Sequence, residues 1–192
     1  KKIETIWREI LEEAPKSAIF EQKKLAEKYG FSTSTVFAAL LPLRNIGAVA
    51  VTGRNFRVVN IEKILMFWAT HRNLKRDIIY QTFVDLPVLE IEGLVDNQTI
   101  FGAYSTARIL LKDSPSEYDK VYVYHPEPDN LMERFPKSDN KNPNFFVIKP
   151  DPNLANYGKT TPLSQTFVDL WNLSDWYAEE FIKALKEKFY CG

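Results

Sequence analysis

The chain has 192 residues, 45% of them apolar and 14% aromatic, enough for one large core or two small ones. Its formal charge is zero, yet residues 1–76 hold fourteen Lys and Arg against seven Glu, net +7, while residues 77–192 hold eleven against eighteen acids, net −7. No run approaches the roughly 18 apolar residues of a membrane span, and one cysteine with two histidines excludes both an internal disulfide framework and a Cys/His zinc site.

Ile3, Ile6, Ile10 and Leu11 recur at helical spacing among Glu4, Arg8, Glu9, Glu12 and Glu13. This predicts an amphipathic first helix, not a signal peptide, that stops at Pro15. Phe20 to Tyr29 reads as a second helix, with Leu25 and Ala26 inward and Gly30 supplying the positive backbone angle of a tight turn. Ser32, Thr33 and Ser34 offer N-cap oxygens to a third helix running through Val36, Leu40 and Leu43. Two β-rich runs follow, Asn45 to Val51 and Phe56 to Val59, around the turn Thr52-Gly53-Arg54-Asn55, and they read as a hairpin.

Ala26, Gly30 and Val36 stand in the spacing of a helix-turn-helix signature: a small residue at the crossing, a glycine in the turn, a branched residue locking the second helix. With the hairpin after it, residues 1–60 resemble a winged-helix domain. In such a domain the third helix enters the major groove by its N-terminal residues, here Ser32, Thr33, Ser34 and Thr35, with Phe37 and Ala38 one turn on. These reach phosphates or a thymine methyl, and no Arg, Asn or Gln stands early enough for a bidentate base contact. Lys23, Lys24, Lys28 and Arg44 are expected on phosphates, and Arg54 and Arg57 on the backbone or minor groove. Phe37 and Leu41, apolar on the outward face, also fit a dimer or partner surface.

Ile61 to Asn73 carries Ile61, Ile64, Leu65, Trp68 and Ala69 at helical spacing and turns basic at Arg72, Lys75 and Arg76. We read residues 61–76 as one connecting helix, packing between two modules or against a second copy of the chain. Residues 77–192 then form a second domain. Ile78 to Val84 is a strand or a short helix. Thr99 to Tyr104 is a strand leading into a turn, and Ser105 caps a helix over Thr106 to Leu111. Val121 to Tyr124 and Phe145 to Ile148 are strands, with His125-Pro126 closing the first. After a loop marked by Pro150, Pro152 and Gly158, Gln165 to Trp171 is a helix, and Asp175 caps a last one bearing Trp176, Tyr177, Phe181, Ile182 and Leu185. Trp68, Trp171 and Trp176 are expected in cores. Tyr122 and Tyr124 share a strand face that is half-exposed or a pocket wall. Cys191 is expected to fray with the terminus.

Phe101-Gly102-Ala103, a helix, and then Ser116 to Val123 are similar to the core of the nucleotidyltransferase superfamily. There a Gly-Ser turn ends one strand, and two carboxylates two residues apart on the next hold magnesium. Glu117 and Asp119 have that spacing. Ala103 stands where the serine would be, Glu117 replaces an Asp, and no third carboxylate lies on the Phe145–Ile148 strand. A winged helix ahead of such a domain, with the segments Tyr104 to Leu111 and Leu163 to Leu185, resembles the abortive-infection antitoxins, the type IV antitoxins and their archaeal transcription-regulator relatives.

The expected fold class is therefore α+β: an N-terminal winged helix-turn-helix and a C-terminal α/β, nucleotidyltransferase-like domain without catalysis. The resemblance implies a cytoplasmic, DNA-binding transcription regulator that controls its own operon, partnered by double-stranded DNA and by a second copy of itself as a homodimer. A cognate toxin is a further candidate partner, which one chain does not identify. No cofactor, metal or membrane is expected. The alternatives are a magnesium-dependent nucleotidyltransferase using Glu117 and Asp119, and an antitoxin module that binds protein and not DNA.

Overall fold

The computed structural model describes residues 1–191, with side chains through Phe189. It is a mixed α+β chain that divides into two compact units, Lys1–His71 and Arg72–Cys191. Among the described residues no helix is long and apolar enough to cross a membrane.

The first unit runs α1 (Lys2–Glu13), β1 (Ile19–Glu21), α2 (Gln22–Tyr29), α3 (Thr33–Asn45), β2 (Val49–Thr52), β3 (Asn55–Val58) and α4 (Ile61–His71). Its strands form one antiparallel sheet in the order β1-β3-β2. Gly30 caps α2 at φ +63° and Gly53 opens the β2–β3 turn at φ +60°, both left-handed angles that glycine adopts without a Cβ clash. The core gathers Ile6, Ile10 and Leu11 of α1, Leu25 of α2, and Val36, Leu40 and Leu43 of α3 with Phe56 and Trp68.

Two expectations change here. Phe20 and Glu21 do not begin the second helix. They form β1, where Phe20 pairs with Phe56 and the two rings stack at 5.2 Å. Residues 61–76 are not a connecting helix either. The helix ends at His71 and packs on α1 and α3, with Ile64, Leu65 and Trp68 fully buried. Trp68 donates through Nε1 to Glu4 Oε2 at 3.1 Å, and Trp7 donates to the Ala39 carbonyl at 2.9 Å. An apolar face this complete needs a core around it, so α4 closes the first unit. Trp68→Phe keeps most of the volume but removes the donor to a buried carboxylate. It should destabilise the first unit by about 1–3 kcal/mol and leave unfolding of the second unchanged, read by denaturant titration of each transition.

The revised boundary moves Arg72, Lys75 and Arg76 into the second unit. Charge then divides as +4 over residues 1–71, eleven bases against seven acids, and −4 over residues 72–192, fourteen against eighteen.

The second unit opens with a 3₁₀ turn at Leu74–Asp77. It continues through β4 (Ile78–Thr82), α5 (Val88–Leu94), β5 (Ile100–Phe101), α6 (Ala103–Leu111), β6 (Val121–Tyr124), α7 (Asp129–Arg134) and β7 (Phe145–Ile148). A second 3₁₀ turn (Leu154–Tyr157), α8 (Leu163–Trp171) and α9 (Ala178–Cys191) follow. The sheet order is β4-β7-β6-β5, with β6 and β7 parallel and the outer pairs antiparallel. On one face Tyr80, Val121, Val123, Phe145 and Val147 pack against Ile91, Leu131 and Phe135. On the other, α6 lies on β6 and against α8 and α9.

Several local expectations shift in this unit. Ile78 to Thr82 is a strand. α6 starts at Ala103, two residues ahead of Ser105, which is buried and not its cap. Asp175 does not cap α9. Its carboxylate accepts from the Tyr104 hydroxyl at 2.9 Å and pairs with Lys120. Trp176 is 81% exposed and Trp171 41%, so of the three tryptophans assigned to cores only Trp68 is fully buried.

Beside α8 lies a buried polar cluster. The Arg72 guanidinium donates to Asp169 Oδ1 at 3.1 Å, to the Tyr124 hydroxyl at 3.0 Å and to Asp77 Oδ2 at 2.6 Å. Tyr124 donates in turn to Asp169, and Gln165 donates to Asp169 Oδ1 at 3.0 Å. Burial raises the Asp169 carboxyl above the ordinary Asp range, outweighing the pull of Arg72 and of the donated hydrogen bonds. Gly102 is explained by this cluster: a Cβ there would meet the Tyr124 ring at 3.0 Å, and that ring is held by its own hydrogen bonds. Gly102→Ala should destabilise the second unit by about 1–3 kcal/mol in urea titration, the usual cost of overpacking.

Candidate nucleic-acid interface

Helix α3 is two-faced. Val36, Ala39, Leu40 and Leu43 are buried, whereas Ser34, Phe37, Ala38 and Leu41 form an exposed stripe at i, i+3, i+4 and i+7 that continues to Arg44 and Asn45. Ser32 is its N-cap: Oγ accepts from the Thr35 amide at 3.2 Å and bonds the hydroxyls of Ser34 at 2.8 Å and Thr35 at 2.9 Å. Three of the four hydroxyl residues assigned to DNA thus hold each other at the helix start while remaining at or near the surface. Thr33 is exposed beside them.

The basic residues divide by commitment. Lys23 and Lys24 are exposed on α2 and meet Glu27 at 3.7 Å and Glu21 at 3.2 Å, open pairs that cost little to exchange. Lys28 is different. It pairs with Glu9, a carboxylate only 6% exposed that also accepts from the Tyr29 hydroxyl. Lys28 thus bridges α2 to α1, and a phosphate at this position would compete with the Glu9 carboxylate for its ammonium. Arg44, Arg54 and Arg57 are exposed, and none has an ion pair among the described residues. The hairpin that carries Arg54 is tied to the start of α2: the Gln22 amide donates to the Arg54 carbonyl at 3.1 Å, and Gln22 Nε2 to the Gly53 carbonyl at 3.3 Å.

In the second unit Glu117 and Asp119 precede β6 and do not lie on it, so strand alternation does not aim them together. Glu117 is exposed beside Ser114, Ser116 and Arg108. Asp119 accepts from the Tyr177 hydroxyl. Tyr118 between them belongs to a half-buried set: it donates to Glu92 Oε1 at 2.9 Å, accepts from Arg108 Nε at 2.9 Å, and Arg108 pairs with Glu92 at 2.6 Å. Burial pushes the Tyr118 phenol up to about 12 despite the Arg108 hydrogen bond. Among the described residues no three His, Cys, Asp or Glu side chains gather as a metal site would require.

One pair escaped sequence reading. His125, fully buried, reaches both carboxylate oxygens of Asp96 at 3.0 and 3.1 Å through Nε2, and its Nδ1 accepts from the Glu127 amide. An accepting Nδ1 leaves the proton on Nε2, which donates to Asp96. His125 therefore does more than end β6, and no motif links it to an aspartate 29 positions earlier.

Comparisons of the chain with protein-family models, with curated proteins and with solved structures find no match.

Proposed function

We propose that the first unit is a winged-helix DNA-binding module and the protein a transcription regulator of its own operon, antitoxin-like and acting as a homodimer in the cytoplasm. The observation that carries this reading is the element order α1-β1-α2-α3-β2-β3 with the outward face of α3 left open and three arginines uncommitted beside or after it. In this reading Ser34, Phe37 and Ala38 meet base edges. Lys23, Lys24 and Arg44 meet phosphates, and Arg54 and Arg57 of the wing meet the backbone. The stripe is small and poor in amides, so contacts to phosphate supply most of the affinity.

The second unit, in the same reading, is a nucleotidyltransferase-like domain without catalysis. The short strand Ile100–Phe101, the turn at Gly102, helix α6 and strand β6 support the likeness. The dispersal of Glu117 and Asp119 weighs against metal-dependent transfer.

Fluorescence anisotropy of the full chain with duplex DNA from upstream of its own gene, and with a random duplex, across a salt series is the test. Affinity should fall steeply with salt and favour the upstream sequence. Absence of binding at low salt, or affinity indifferent to salt, overturns the reading.

A second reading has its own observation. Phe37 is 52% exposed and Leu41 44%, one turn apart on α3, an apolar pair that fits a protein partner such as a toxin. Phe37→Ser with Leu41→Ser separates the two. Loss of co-purifying protein from the native host with DNA binding intact favours the partner, and loss of DNA binding favours the groove.

A further inference from the structure

The second unit contains a cavity of about 510 Å³ that neither the DNA reading nor the catalytic alternative uses. It lies on the sheet face that carries Tyr122 and Phe146, toward the β4 edge. Strand register sets one wall: Gln81 of β4 stands opposite Phe146 of β7, which stands opposite Tyr122 of β6, so three neighbouring strands present one row. The Phe146 and Tyr122 rings stack at 4.5 Å, almost parallel. Ile79, 44% exposed, and Leu173 of the α8–α9 loop extend the apolar surface.

Charge around this surface is one-sided. Lys75, Lys120 and Lys137 line the cavity against a single acid, Asp175. Asp175 is taken by Lys120. Lys137 donates one hydrogen bond to the Gln81 carbonyl at 3.0 Å, which leaves two of its three donors. Lys75 has no ion pair among the described residues. Two ammonium groups at the cavity thus remain without a carboxylate, that of Lys137 lying 5.3 Å from the centre of the Tyr80 ring.

Tyr122 adds a polar group to this wall: its ring is buried, while its hydroxyl, with no protein partner among the described residues, keeps some contact with solvent and lines the cavity. The hydroxyls of Tyr80, Tyr104, Tyr118, Tyr124 and Tyr177 are by contrast each committed to a carbonyl, a carboxylate or an arginine. A volume within the roughly 300–1,000 Å³ typical of small-molecule sites, an apolar wall and a few convergent polar groups complete the pattern.

We propose that this cavity binds a small aromatic organic anion, with its ring against the Tyr122–Phe146 wall and its anionic group between Lys75 and Lys137. The Tyr122 hydroxyl, protonated at neutral pH like any phenol, donates to the ligand. The inference is independent of the DNA reading, because it concerns only residues of the second unit.

The test uses the full chain and the fluorescent aromatic anion 8-anilinonaphthalene-1-sulfonate. Binding should be saturable with one site, and 1-naphthalenesulfonate should displace the probe. Inorganic phosphate at equal concentration and ionic strength should not. Lys75→Gln with Lys137→Gln, two surface changes that spare the core, should weaken binding at least tenfold. Tyr122→Phe should weaken it severalfold with an unchanged circular dichroism spectrum, and Lys183→Gln, elsewhere on α9, should bind as the parent does. Absence of saturable binding, equal affinity in the double-lysine variant, or displacement by phosphate alone would overturn the proposal.

Discussion

Arg72→Met should lower the unfolding free energy of the second unit by about 3–5 kcal/mol, the usual penalty for removing one partner of a buried ion pair. The methionine fills much of the volume, so the loss comes from what stays behind. Asp169, fully buried, keeps the Tyr124 and Gln165 donors but loses the one cation that pairs with it among the described residues. Replacing both ends, Arg72→Met with Asp169→Leu, should recover part of the loss, because no uncompensated charge then remains.

The same variant has a pH signature. The Asp169 carboxyl already titrates above the ordinary Asp range because of burial, and removing the guanidinium raises it further. A raised folded-state pKa means the native protein holds a proton that the unfolded chain has released. The Asp169 contribution is therefore most favourable below the ordinary Asp range and is lost as pH rises through the raised value. Denaturant titrations from acid to neutral pH should show the deficit against the parent protein growing with pH. A deficit that is constant or shrinks toward neutral pH would remove Asp169 ionisation as its cause.

Arg54→Ala with Arg57→Ala should weaken DNA binding to the same degree on upstream and random duplexes, since backbone contacts carry no sequence information. Each arginine on a phosphate contributes roughly 0.9 to the slope of log affinity against log salt, so the double variant should flatten that slope by about 1.8. Lys28→Ala is the internal contrast. Its ammonium is held by Glu9 and should leave the slope unchanged while lowering the stability of the first unit. A slope that responds to Lys28 and not to the two arginines would reverse the assignment.

How much was legible in the chain depends on how far each signal reaches. Helix α1, the Ser32 cap, the Gly30 turn and the β2–β3 hairpin rest on residues within one or two turns of each other, and they read correctly. β1 did not, because three residues become a strand only against β3, more than thirty positions later. α5 and α7 are short helices among prolines and acids with no long apolar period, and they went unread. Trp176 shows the opposite error: an apolar side chain at helical spacing sits in a turn ahead of α9 and points to solvent.

For the candidate interface, residue types were readable and their commitments were not. The exposed stripe of α3 follows from periodicity, since Val36, Leu40 and Leu43 must turn inward and their opposites cannot. That Lys28 is spent on Glu9 while Arg54 and Arg57 remain open has no local signal, because the pairing partner lies 19 positions away on another helix. The cavity at Tyr122 is still less local, built from a 3₁₀ turn, three strands and three loops.

Composition and spacing by themselves determined the α+β class, the Ser32 cap, the hairpin turn and the apolar faces of α1 and α3, because backbone preference and amphipathic period act over a few residues. Tertiary packing decided the rest. It placed the unit boundary at His71 by enclosing Trp68, and it moved Arg72 into a buried cluster with Asp169. It left one tyrosine hydroxyl without a partner among the described residues. Burial and ion pairing are settled by distance in space, and residues that meet in a core are seldom neighbours in the chain.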